Sequence, residues 1–187
     1  MARALVLLLL LVAACSDPHA QARDAALAQA QSELAADPAA ALRTAKAALA
    51  EHGADPRLAL VAGLAHLQLH ETSEAIAQAE AGLSADELPP DLRADLSWVR
   101  GAALMARYRE LSSADDWRAA NLALEHATTA GAHRAEAATA LTFLQVLGNL
   151  GNDDRLLKYA RLVLQLEPEG ESAKQVRALL DSKGLKP

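Results

Sequence analysis

The chain has 187 residues, a formal charge of −6 and a composition that is 52% hydrophobic but only 3% aromatic; this allows one folded unit or one quasi-linear array rather than two independent cores. Acidic and basic residues are interspersed, which speaks against the clustered cationic face that grips a phosphate backbone, so no nucleic-acid partner is expected. So few rings also argue against a base- or sugar-stacking platform.

The first element is a leader over residues 1–14. Arg3 supplies one positive charge, and an unbroken apolar run follows from Ala4 to Ala14. A bilayer-spanning helix needs about 20 apolar residues, so the run is a secretory h-region rather than a span. It ends Leu11-Val12-Ala13-Ala14-Cys15, on the only cysteine of the chain, which excludes an intramolecular disulfide. Small and branched apolar residues directly ahead of a cysteine resemble the lipobox of bacterial lipoproteins. The resemblance implies cleavage before Cys15, a diacylglycerol on its thiol and usually a third acyl chain on the new amino group. Each buried methylene contributes about 0.8 kcal/mol, and two or more chains anchor stably. Ser16 stands where an Asp would favour inner-membrane retention in enteric bacteria, so the implied location is the outer membrane, facing the periplasm. Residues 15–20 then form a short tether. The alternative is an ordinary signal peptide cut after Ala20-Gln21-Ala22, which would release a soluble periplasmic protein. Removing the leader removes Arg3 and leaves a remainder still more acidic, so the lipid rather than a basic patch would hold it to a membrane.

Residues 21–187 read as all-α. Ala and Leu dominate the apolar fraction and both favour helix, while no stretch alternates β-branched and polar residues between turn signals. Ala41, Leu42, Ala45, Ala48 and Leu49 recur after about 34 residues as Ala75, Ile76, Ala79, Gly82 and Leu83, and Ala28 recurs as Ala62. The first unit, Gln21 to Gly53, is Ala-rich. The second starts at Asp55-Pro56, runs Ala59-x-x-Ala62-Gly63-x-x-His66, breaks near Glu71-Thr72 and continues Glu74-Ala75-Ile76-x-x-Ala79-x-x-Gly82-Leu83, with Gly63 at a point of close helix approach. A third carries Trp98-x-x-Gly101 on an overlong first helix, a register slip between Tyr108 and Ser113, Asp115 and Asp116 as helix cap, and Trp117, Ala120, Leu124 and Ala127 on its second helix. The fourth pairs Ala140-x-x-Phe143-Leu144-x-x-Leu147 with Leu156-x-x-x-Ala160-x-x-Val163 across a Gly151-Asn152 turn, and Leu166-Glu167-Pro168 closes it. Ser172 to Leu180 is a last amphipathic helix through Ala173, Val176, Leu179 and Leu180.

This period and succession resemble the tetratricopeptide-repeat family over nearly the whole mature chain. The resemblance implies an α-solenoid of antiparallel helix pairs, about four repeats and a C-terminal capping helix, whose first helices line a concave side. The same Ala spacing would also suit an irregular helical bundle. The family's inward positions fall on Arg57, Leu60, Leu64, Leu67 and Gln68 in the second repeat, on Trp98, Ala102 and Met105 in the third, and on Leu141, Gln145 and Asn149 in the fourth. Such a groove suits a helix or extended peptide. Members that clamp a terminal carboxylate carry Lys and Asn where Leu60 and Leu64 stand here, so that ligand is not implied. The groove is expected to hold either a segment of an envelope protein, or the chain's own terminal helix or a second copy in a homodimer.

No catalytic residue, metal or cofactor is expected. His66, His70 and Glu74 are spaced like metal ligands on one helical face, but the break near Glu71 interrupts that face and the segment is not the H-E-x-x-H motif, so packing or surface roles are expected. No nucleophile elbow, phosphate-cradling loop or dinucleotide fingerprint occurs. Asp153, Asp154 and Arg155 mark a helix start. The expected function is that of a membrane-anchored adaptor or assembly factor of the bacterial cell envelope; the alternative is a structural, self-associating lipoprotein.

Overall fold

The computed structural model describes residues 17–148 and 153–186. The leader, Cys15, Asn149 and the Gly151-Asn152 turn lie outside the described residues. Among those described, the chain is all-helical, without strands. The helices are α1 (Pro18–Glu33), α2 (Pro38–His52), α3 (Pro56–Gln68), α4 (Thr72–Leu83), α5 (Pro90–Leu111), α6 (Ala114–Ala127), α7 (Arg134–Leu147), α8 (Asp153–Leu166) and α9 (Glu171–Lys183).

The first three helices start on the same dipeptide. Asp17, Asp37 and Asp55 each precede a Pro, and their carboxylates accept the N–H groups of His19 (3.0 Å), Ala40 (2.9 Å) and Arg57 (2.8 Å). A short acceptor satisfies an orphan N–H, and Pro in the first turn has no N–H to satisfy. The signal at Asp17-Pro18 corrects one sequence boundary: α1 begins ahead of Gln21, so residues 18–20 are helix and not tether. A second correction falls on α6, whose cap is Ser113. Its Oγ accepts from the Asp116 N–H, while the Asp116 carboxylate is taken up by Arg107 at 2.6 and 2.9 Å.

Consecutive helices pack as antiparallel pairs, and each of α1, α3, α5 and α7 also touches the next odd-numbered helix. The even-numbered helices make no such close backbone approach to one another; α6 and α8 meet through longer side chains, Tyr159 and Arg155 reaching Glu125. One layer is therefore packed continuously and the other is splayed, which curves the array and puts the odd helices on its inner side.

Burial reports the repeat. Ala41 and Ala75, Ala45 and Ala79, and Ala48 and Gly82 are buried at matching positions of α2 and α4. The match between Ala28 and Ala62 fails, because Ala28 is exposed and α1 turns Leu27 and Ala30 inward instead. Gly63 does lie at a close approach: a Cβ added there would stand 2.9 Å from the Val99 side chain. Gly101 is tighter, with an added Cβ 2.7 Å from Leu124 Cγ and 3.1 Å from its backbone nitrogen. These contacts seat α3 against α5 and α5 against α6. At the C-terminal end, Ala173, Val176 and Leu180 of α9 close over Ala138, Leu156, Ala160 and Val163, as a cap requires.

Candidate functional site

The inner side carries a cavity of about 570 Å³ where α5, α7 and α9 converge. From α5 it takes Trp98, Met105 and Arg109, which lie along one stripe of that helix. From α7 come Glu136, Thr139, Ala140 and Phe143, spaced as successive neighbours on a helical face. Glu167, just past the end of α8, and Glu171, Ser172 and Gln175 of α9 form the far wall. A space of this size takes a few side chains rather than a folded partner.

Local chemistry explains why Trp98 is held there. Asp95, one turn before it, accepts the N–H groups of Ala132 (2.8 Å) and His133 (3.3 Å), and Asp91 accepts that of Gly131 (3.2 Å). These bonds latch the α6–α7 connection to α5. Gly131 has φ 80°, and an added Cβ would overlap the Asp95 carboxylate, so glycine is required there. The latch delivers the His133 ring onto Trp98, stacked at 5.8 Å and 22°.

Trp98 and Met105, two of the positions implied by the repeat resemblance, both line this cavity. Ala102 is half-buried on the same helix. Leu60, Leu64 and Leu67 are half-buried at the edge of the core cluster that also supports Trp98 and Met105, and Gln68 is exposed. None of these four lines the cavity.

Three expectations need correction. Leu141 is fully buried in the core, and Gln145 is buried with its Nε2 donating to Asn121 Oδ1 of α6 at 2.9 Å. Successive helical residues are offset by about 100°, so reading the inward face of α7 one position late, on Leu141 instead of Ala140, turns it toward α6. Arg57 is not a groove cation either. Its guanidinium binds Asp55 at 2.8 Å and Asp24 at 2.8 Å, with Arg23 Nε on the same Asp55 at 3.1 Å. Burial opposes ionisation of Asp55, but the side-chain and backbone bonds from Arg57 outweigh it and hold the carboxyl below its ordinary range. Arg23 and Arg57 stand one repeat apart, a recurrence that could have flagged this clamp between α1 and α3.

The histidine pair separates. His66 is buried with Nδ1 2.5 Å from Glu71 Oε2, whereas His70 is exposed at φ 60° in the turn before α4. Among the described residues no three His, Cys, Asp or Glu side chains converge as a metal site. Trp117 also has a structural task. Its Nε1 donates to the Leu144 carbonyl at 3.3 Å, satisfying an end of α7. On the outer layer, Tyr159 donates to Glu125, which also pairs with Arg155 at 2.6 Å; burial first, and then the hydrogen bond to Glu125, push the phenol above its usual pKa.

No described helix is long and apolar enough to cross a membrane. Compared with protein-family models, with curated proteins and with solved structures, the chain matches none. The architecture defines its class as an α-solenoid-like helical array with an inner cavity.

Proposed function

We propose that this chain is a membrane-anchored adaptor or assembly factor of the bacterial cell envelope, built from tetratricopeptide-like repeats and binding peptide segments of envelope proteins on its inner face. One observation carries the reading: the cavity between α5, α7 and α9, with Trp98, Met105 and Phe143 as apolar anchors on a rigid helical wall. Rings and a thioether on fixed helices present a large apolar surface that loses little side-chain freedom on binding, which is how few residues dominate an interface. The array of stacked hairpins supports the repeat resemblance, and the Leu11 to Cys15 motif supports lipidation at Cys15 and an outer-membrane location. With α1 starting at Pro18, the first helix would sit within roughly 11 Å of extended chain from the lipidated residue, keeping the N-terminal end of the array near the membrane surface.

Crosslinking in native membranes, with identification of the captured protein, tests the reading. Trp98→Ala is expected to weaken capture about 30-fold, ~2 kcal/mol for a buried anchor. Phe143→Ala, on a different helix, should weaken it in parallel, with helicity by circular dichroism unchanged in both. Capture of the same protein at undiminished strength by both variants would overturn the groove as the recognition site. Cys15→Ala should move the protein from the membrane to the soluble fraction and leave the peptide affinity alone. A second reading, self-association as a structural component, is favoured by the exposed side chains of Leu111 and Leu122, which line no part of this cavity. A mass that stays monomeric at all concentrations counts against it.

A further inference from the structure

The walls of the cavity are more specific than its floor. Trp98, Met105, Ala140 and Phe143 are apolar, while the polar rim brings three carboxylates, Glu136, Glu167 and Glu171, against one guanidinium, Arg109. Of the three carboxylates, Glu171 alone has a Lys or Arg of the described residues beside it. Glu136 has His133 Nδ1 at 3.8 Å, Glu171 has Lys174 at 3.5 Å in a solvent-exposed pair, and no described cation stands within ion-pair distance of Glu167. Glu136 Oε2 is moreover shielded from solvent and accepts no hydrogen bond from the described residues. The rest of the Glu136 side chain is exposed, so its carboxylate is open to a donor that arrives with a ligand.

Resting on the peptide-groove reading above, we infer that the occupant is a basic peptide segment: a Lys or Arg side chain set beside an aliphatic or aromatic anchor. The anchor would enter among Met105, Ala140 and Phe143. The cation would lie at the Glu136 and Glu171 rim, next to the Trp98 ring, whose face attracts positive charge when desolvated. Opposed charge raises the encounter rate and selects register. An acidic or phosphorylated segment meets three carboxylates and one Arg, so the same rim rejects it.

The test is a selection of random 12-residue peptides on the purified full chain, followed by affinity measurement with the most enriched sequence made synthetically. The enriched peptides are expected to carry Lys or Arg close to Trp, Phe, Leu, Ile or Met. Affinity should fall about tenfold, ~1.4 kcal/mol, in the triple variant Glu136→Gln, Glu167→Gln, Glu171→Gln, and stay unchanged in a control triple at the exposed Glu51, Glu74 and Glu87. It should also weaken between 0.1 and 1 M salt, as the screening length shrinks from about 10 to about 3 Å. A peptide whose binding is lost in Trp98→Ala and Phe143→Ala but is indifferent to the Glu136 triple overturns the charge selection and leaves the groove standing. Peptides that are acidic and still use Trp98 do the same. Peptides that bind equally well to Trp98→Ala and Phe143→Ala, or the absence of any enriched sequence, overturn both the charge selection and the groove.

Discussion

The α1–α2 hairpin and the α5–α7 region use the same helix-on-helix geometry with opposite materials. Around α1 and α2 the core is Ala30, Ala41, Ala45 and Ala48 with Leu27 as its large member, and the joint to α3 is the ionic clamp of Arg23, Asp24, Asp55 and Arg57. Around α5, α6 and α7 the core is Val99, Leu104, Leu124, Leu141 and Leu144, with Trp98 and Trp117 packed on its flanks. Apolar burial contributes in proportion to area, so the two ends of the array differ in stability although their backbones repeat. Small residues bring helices close without much buried area, and hydrogen-bonded charges supply what volume does not. The groove sits at the large-residue end, where helices are held stiffly enough to keep Trp98 and Phe143 in fixed relation.

The sharpest way to break this comparison is a pair of truncations. Leu141→Ala should cost toward the upper end of the ~2–5 kcal/mol range for a fully buried leucine, read from chemical denaturation. Leu27→Ala, at the edge of the alanine core, should fall at the lower end; equal costs would mean the two regions do not differ. Next in size is Gly101→Ala. The added methyl meets Leu124 side chain and backbone together, and overpacking of this kind costs about 1–3 kcal/mol. An unchanged midpoint would show that α5 and α6 separate freely.

The smallest effect sharpens the N-terminal side. Asp55→Asn keeps a cap acceptor but loses the charge shared by two arginines, for about 1–2 kcal/mol. The sign with pH follows from the depressed carboxyl of Asp55: the unfolded chain takes up the proton first, so the contribution is whole above the ordinary carboxylate value and is lost as pH falls through the lower folded one. Thermal midpoints of the wild type and of Asp55→Asn should therefore converge on acidification. A gap that persists at low pH would assign the clamp to packing rather than charge.

The repeat was legible because Ala41 and Ala75, or Ala45 and Ala79, face the same surroundings in successive hairpins, so the same volume limit acts on both. Gly63 was legible for a similar reason, since only glycine fits where α3 meets Val99. The groove was legible on α5 alone. Trp98 and Met105 differ from their small neighbours and identify their face. Helix α7 offers no such contrast: nearly every residue from Ala135 to Gln145 is buried, so periodicity does not distinguish the face toward α6 from the face toward the cavity. Arg57 was misplaced because its partner Asp24 lies on a different hairpin.

By itself, the sequence determined the helical class, the hairpin order, the Asp55-Pro56 start and the C-terminal cap, because each follows from local propensity, capping or a short-range period. The tertiary structure alone decided which face of α7 looks inward, that α9 and Glu167 complete the cavity, and that three carboxylates meet one arginine there. Those outcomes depend on how helices far apart in the chain rotate to bury their apolar stripes, and a single helix carries no record of the neighbour that will cover it.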